Sequence, residues 1–169
     1  MKKKFIYIII ILVAIISQTS LFPAILNNSA AGDAVLMAIL AWSVLDGFSA
    51  FLAWAITAGI LYDLAAKATV GEHVIIFLLV VYFVSFFSRR FPTDLKGIGL
   101  ILFIIFVVVA TLVSRGIFAL MTAWDLRTLQ GYWETFGNFR FIALGVVYNE
   151  ILFFVWFITL KKIKKFFEI

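Results

Sequence analysis

The 169-residue chain has no cysteine, one histidine and two prolines. Without cysteine, neither a disulfide framework nor a thiolate metal site can form. A lone histidine, His73, cannot build a histidine-cluster metal centre. Charge is scarce as well. Asp, Glu, Lys and Arg make up 14% of the residues, against about a quarter in a soluble globular domain. Apolar residues fill the gap: 65% of the chain is hydrophobic, 20 residues are phenylalanine, and the mean hydropathy is +1.16. This excludes a sizeable soluble domain and implies an integral membrane protein forming a single membrane domain over residues 1–169. The apolar runs are continuous rather than alternating, which favours helices over a transmembrane β-barrel.

Catalytic signatures are missing too. The sequence contains no Gly-x-Ser-x-Gly elbow, no His-Glu-x-x-His pair and no Gly-rich phosphate loop. No lysine lies in the middle of an apolar run. The expectation is a protein that is not an enzyme and carries no metal or cofactor. The net charge of +5 does not point to nucleic acid. The basic residues sit at the ends of apolar segments, as topology signals do, and they form no basic–aromatic binding surface.

Six membrane spans are expected, at about residues 5–26, 34–46, 48–65, 73–88, 97–122 and 139–160. Met1–Lys4 followed by an uncharged run resembles the start of a signal peptide, but the run continues toward Leu26 and reads as an uncleaved first span. Asp33 has the character of a helix N-cap for the second segment, which ends at the turn signal Asp46-Gly47. That segment is short for a full crossing, and a short, tilted or partly re-entrant helix all fit it. Trp124, Tyr132 and Trp133, around the longest polar connection, suit a membrane interface. With six spans and the N-terminus inside, Lys2, Lys3, Lys4, Arg89, Arg90, Lys96, Lys161, Lys162, Lys164 and Lys165 all fall on the inner side. These are ten of the fourteen basic residues, so the positive-inside rule places both ends in the cytoplasm. The Lys161–Lys165 run reads as stop-transfer charge or as a contact for anionic lipid or a cytoplasmic partner.

Three charges interrupt apolar runs: Asp63, Arg115 and Glu150. At a rise of about 1.5 Å per residue, Asp63 lies roughly 22 Å, Arg115 roughly 27 Å and Glu150 roughly 15 Å above the inner ends of their helices. The similar heights of Asp63 and Arg115 predict an ion pair, joined by Glu150 through Asn149, Tyr148 or water. The alternative is that each snorkels to the outer interface alone. Glu150 reads either as a neutral buried acid or as a proton or substrate site. Gly59 and Asp63, four residues apart, share one helix face, where the glycine permits close backbone packing. Glu72-His73 opens the fourth span, as a cap and interface pair or as a ligand site.

Gly59-x-x-x-Asp63, the following Gly71, the helix ending in Arg89-Arg90, and Tyr148-Asn149 in the last span together resemble the rod shape-determining protein MreD family. Ile60 stands where that family usually has leucine, and Glu72-His73 and Arg115 depart from its pattern. The resemblance implies a non-enzymatic scaffold of the bacterial cell-elongation complex in the inner membrane. Its partners would be an MreC-like membrane protein, an MreB-like actin homologue and the peptidoglycan synthases. It also implies a six-helix fold similar to the substrate-binding components of energy-coupling-factor vitamin transporters, which supplies a rival function. A scaffold would offer small-residue faces such as Ala55, Ala58 and Gly59 to partner helices. A vitamin-capturing component would line an outward cavity with Glu72, His73, Arg115, Trp124 and Trp133.

Overall fold

A computed structural model describes residues 2–26, 32–88, 97–126 and 139–167. Among these residues the chain is helical throughout, apart from short turns. Helix α1 (Lys2–Ile16) runs through a π-helical turn (Ser17–Leu21) into α2 (Phe22–Leu26). These three form one continuous first segment. Then follow α3 (Ala34–Asp46), α4 (Phe48–Ala66), α5 (Glu72–Ser88), α6 (Ile98–Leu126) and α7 (Phe139–Phe167). Among the described residues three stretches are long and apolar enough to cross a membrane: Lys4–Ala24, Ile98–Met121 and Ile142–Phe167. The expected six helical segments are thus present, three of them short.

The π turn lies just before Pro23, which has no N–H to give to the helix. The Phe22 amide reaches Ser17 O instead. Ser17 Oγ and Thr19 Oγ1 donate back to the carbonyls of Val13 and Ile15 at 2.7 and 2.9 Å, a pattern that bends helices.

Helix α3 resolves the ambiguity of the short second segment. Its 13 residues span about 20 Å, less than the roughly 30 Å of a hydrocarbon core. Every residue from Ala34 to Val44 is buried. A helix that is apolar all round belongs in an interior, and α3 packs against α1, α4, α5, α6 and α7. It is the enclosed axis of the bundle, so its length need not match the membrane. Around its lower half lie Tyr7, Trp42, Phe51 and Trp54. The Tyr7 and Trp42 rings are 4.2 Å apart, and Trp42 stacks on Phe51 at 5.3 Å.

Two turns set the geometry of the neighbouring helices. Gly47, at φ +77°, reverses the chain between α3 and α4 while its amide bonds to Ser43 O at 3.0 Å. That left-handed conformation favours glycine. Helix α4 closes on Lys67, also left-handed at φ 54°, and Ala68 N donates to Asp63 O at 3.0 Å. This is the six-to-one bond of a Schellman cap. The turn sends the chain straight back along α4 into α5.

Candidate functional site

The polar residues inside the bundle form three ties, each joining helix ends that the apolar packing alone would leave open. The first joins α4 to α5. Asp63 is fully buried. Its Oδ2 accepts from Gly71 N at 2.7 Å, and its Oδ1 accepts from His73 N at 3.2 Å and from His73 Nδ1 at 2.6 Å. Backbone amides at a helix start lack intrahelical partners, and a carboxylate there is favoured by the helix dipole. Asp63 therefore acts as an N-cap for α5 supplied from another helix. His73 is held from the other side by Tyr62, at 4.3 Å between ring centroids. One turn back, Gly59 faces the same helix start. A Cβ at Gly59 would stand 2.7 Å from both Val74 N and Val74 Cα, so the two backbones pack at a distance only glycine allows.

The expected partner of Asp63 is corrected by this arrangement. Its acceptor oxygens are taken by Gly71 and His73 rather than by Arg115. The Arg115 guanidinium lies against Gly145 of α7. Height along a helix says nothing about which way a side chain points, and the tight Lys67 turn brings His73 in first. Ala55 and Ala58 are also corrected as partner-facing residues. Both are completely buried, and Gly59 is spent on the contact with α5.

The second tie gathers four segments at the start of α3. Asp33 Oδ1 accepts from Leu36 N at 2.9 Å, the N-cap bond. Asp33 N donates to Asn149 Oδ1 at 2.7 Å, and Ala34 N donates to Gln18 Oε1 at 2.7 Å. Asn149 Nδ2 in turn donates to Thr111 Oγ1 at 2.8 Å, and Thr111 passes the chain to Val107 O at 2.7 Å. Three of the orphan amides of α3 are thus satisfied by the π turn, by α7 and by Asp33 itself. Gly32 is needed for this closure: a Cβ there would stand 2.7 Å from Asn149 Oδ1 and 2.8 Å from Leu152 Cδ1. Gln18 and Thr111 did not figure among the expected site residues. Their signal was there, as isolated amide and hydroxyl groups in apolar helices.

Glu150, next to Asn149, takes no part. Both its carboxyl oxygens are buried with no hydrogen-bond partner among the described residues. The expectation that Glu150 joins a charge network through its neighbours is corrected: Asn149 makes the network and Glu150 stands outside it. Glu72 Oε1 is likewise buried and unpartnered, although Glu72 N bonds to Thr69 O at 3.1 Å.

The third tie closes the other end of α3. Asp46 accepts from Tyr7 Oη, from Lys164 Nζ and, at 3.0 Å, from Trp42 Nε1. Lys164 Nζ also reaches Leu45 O at 3.3 Å. A cation at a helix C-terminus meets the negative end of the dipole and a free carbonyl. One lysine of the C-terminal run is therefore an internal residue. Because Tyr7 and Lys164 share one carboxylate, the start of α1 and the end of α7 lie at the same end of the bundle.

Of the other expected positions, Trp124 falls in α6, while Trp133 lies outside the described residues. Among the described residues no group of three or more His, Asp or Glu side chains could hold a metal ion. What the arrangement does chemically is bind helix to helix. Its hydrogen-bond donors and acceptors are mostly turned on each other.

Comparison with known proteins gives one finding. A family model described as rod shape-determining protein MreD matches residues 1–163. No curated protein and no solved structure matches significantly. The match covers nearly the whole chain, and on that coverage the chain belongs to the rod shape-determining protein MreD family.

Proposed function

We propose that this protein is a non-enzymatic scaffold of the bacterial cell-elongation complex. A role in rod shape determination follows from its family. The finer reading is that it sits in the cytoplasmic membrane with both termini inside. There it binds an MreC-like membrane protein and supports peptidoglycan synthesis, with links to an MreB-like actin homologue. The observation that carries the scaffold reading is the enclosed α3. The bundle axis is filled by a helix whose Leu36, Met37, Leu40 and Ala41 are fully buried, and both helix ends are tied down by hydrogen bonds. Such an interior suits a rigid platform whose outer surface meets other proteins.

The transport alternative draws less support. It needs Glu72, His73 and Arg115 to line one outward cavity. His73 is committed to Asp63, and the Arg115 guanidinium is laid along α7 at Gly145.

The test is depletion in a rod-shaped host combined with affinity purification from its membranes. Rounding of the cells, together with recovery of an MreC-like protein, is the expected result. Unchanged cell shape and wall synthesis after complete depletion would sink the scaffold reading. Copurification of a vitamin with the protein would move it to the transport class.

A further inference from the structure

Helix α7 continues well past what a membrane requires. Its 29 residues extend about 43 Å, against roughly 30 Å of hydrocarbon. Along its outer side runs a stripe of exposed residues: Leu144, Val147, Ile151, Val155 and Ile158. The steps of three and four keep them on one face. In a membrane protein that face lies against acyl chains. Continued at the same spacing, the stripe runs into Lys162 and Lys165, with Lys161 beside them, and all three are exposed. Lys164 points away from that face and into the bundle, where it meets Asp46. The run of lysines is thus divided by helix geometry into one internal residue and three outward ones.

Helix α1 repeats the pattern at the same level. Its exposed Phe5, Ile8, Leu12 and Ile16 form a stripe at the same helical spacing. Just before that stripe, at the helix start, stands the exposed Lys4. That start is level with the end of α7, because Tyr7 and Lys164 both bond to Asp46. Phe166, 81% exposed, follows Lys165 directly in the last turn of α7, where an aromatic ring fits a headgroup region.

We propose that this end of the bundle binds anionic phospholipids, with Lys161, Lys162 and Lys165 of α7 and Lys4 of α1 holding their phosphate groups. The lipid source follows from continuity. A molecule whose tails cover the apolar stripe carries its headgroup directly onto the lysines, and a soluble anion has no hold on the stripe. Long lysine stems suit this, since they lie along apolar surface while the ammonium group reaches the phosphate. Each lysine near an anionic surface contributes a preference of roughly fivefold.

The experiment uses the full-length protein reconstituted in phosphatidylcholine vesicles with a trace of spin-labelled phosphatidylglycerol or spin-labelled phosphatidylcholine. The motionally restricted fraction of each label is read by electron paramagnetic resonance. A preference for phosphatidylglycerol of about fivefold or more at low salt is expected, shrinking as salt is raised. The variant K4Q/K161Q/K162Q/K165Q should bind both labels alike, with its helicity unchanged by circular dichroism. K164Q should keep the preference while lowering thermal stability. Equal association of the two labels with the unmodified protein overturns the proposal, as does a preference that survives either the fourfold variant or high salt. Should inorganic phosphate displace the labelled lipid better than chloride of equal ionic strength, the site belongs to a free anion and the proposal fails.

Discussion

Asp63 Oδ1 and His73 Nδ1 stand 2.6 Å apart, joining the last turn of α4 to the first turn of α5 across a five-residue connection. The same carboxylate takes two backbone amides of α5. Replacing Asp63 by alanine removes all three bonds at once and leaves buried donors without acceptors. The expected loss is about 2–4 kcal/mol, from the cost of unpaired buried groups and a lost cap. Asp63→Asn keeps an acceptor and should lose less. His73→Ala removes only the ring contact and should lose least. Thermal unfolding in a mild detergent ranks the three, and an order with His73→Ala at the top would contradict the capping role.

Two glycines offer a matched comparison. At Gly59 an added Cβ meets the backbone of Val74, which cannot move without shifting α5. At Gly145 it meets the guanidinium of Arg115, the far end of a flexible side chain. Gly59→Ala should therefore destabilise by about 1–3 kcal/mol, the range for overpacking, and Gly145→Ala by much less. Unfolding midpoints of the two variants give the answer directly; equal shifts would mean that Arg115 is as fixed as backbone.

Asn149 carries both sides of its amide into the network at the start of α3. Asn149→Leu leaves Asp33 N without an acceptor and removes the donor to Thr111, and a loss of about 2 kcal/mol or more is expected. Thr111→Val should cost less, because its partner amide can be lost only once. A double-mutant cycle of Asn149→Ala and Thr111→Val should show a coupling above about 0.5 kcal/mol, as for residues in one hydrogen-bond network. Strict additivity would show that the two side chains act independently.

Lys164 and Lys161 are near neighbours with opposite fates. Lys164→Met strips the cation from Asp46, whose side chain is only 3% exposed, and should be strongly destabilising. Removing both partners in Asp46→Asn/Lys164→Met should recover part of that loss, since much of the damage comes from the stranded carboxylate. Lys161→Gln should leave the unfolding midpoint within experimental error. The check is the midpoint of the double variant, which must lie above that of Lys164→Met alone.

The helices were largely legible because their signals are local. Continuous apolar runs gave the long segments, Asp33 gave the start of α3 through its cap, and Asp46-Gly47 gave its end through the turn. The Gly59–Asp63 spacing placed both residues on one face, and both do turn toward α5. Partners were harder to read because pairing depends on direction around a helix as well as height along it. Asp63 and Arg115 match in height, yet the Lys67 turn decides where the carboxylate bonds. The Asp46–Lys164 pair joins residues 118 positions apart, and Lys164 sits in a run of similar lysines that does not mark it as different. Gln18 and Thr111 were legible in principle, as isolated polar groups in apolar helices, since such groups usually find partners inside the bundle.

Helices α3 and α7 run in the same direction, and each end of α3 is bonded to α7: Asp33 to Asn149 and Asp46 to Lys164. The two attachment points are about 20 Å apart on α3 and about 22 Å apart on α7. Two rods clamped at both ends over nearly equal lengths cannot slide past one another without breaking both clamps together. A push or pull delivered to the lysine-bearing end of α7 is therefore delivered, undiminished by slippage, to the far end of α3 at Asp33.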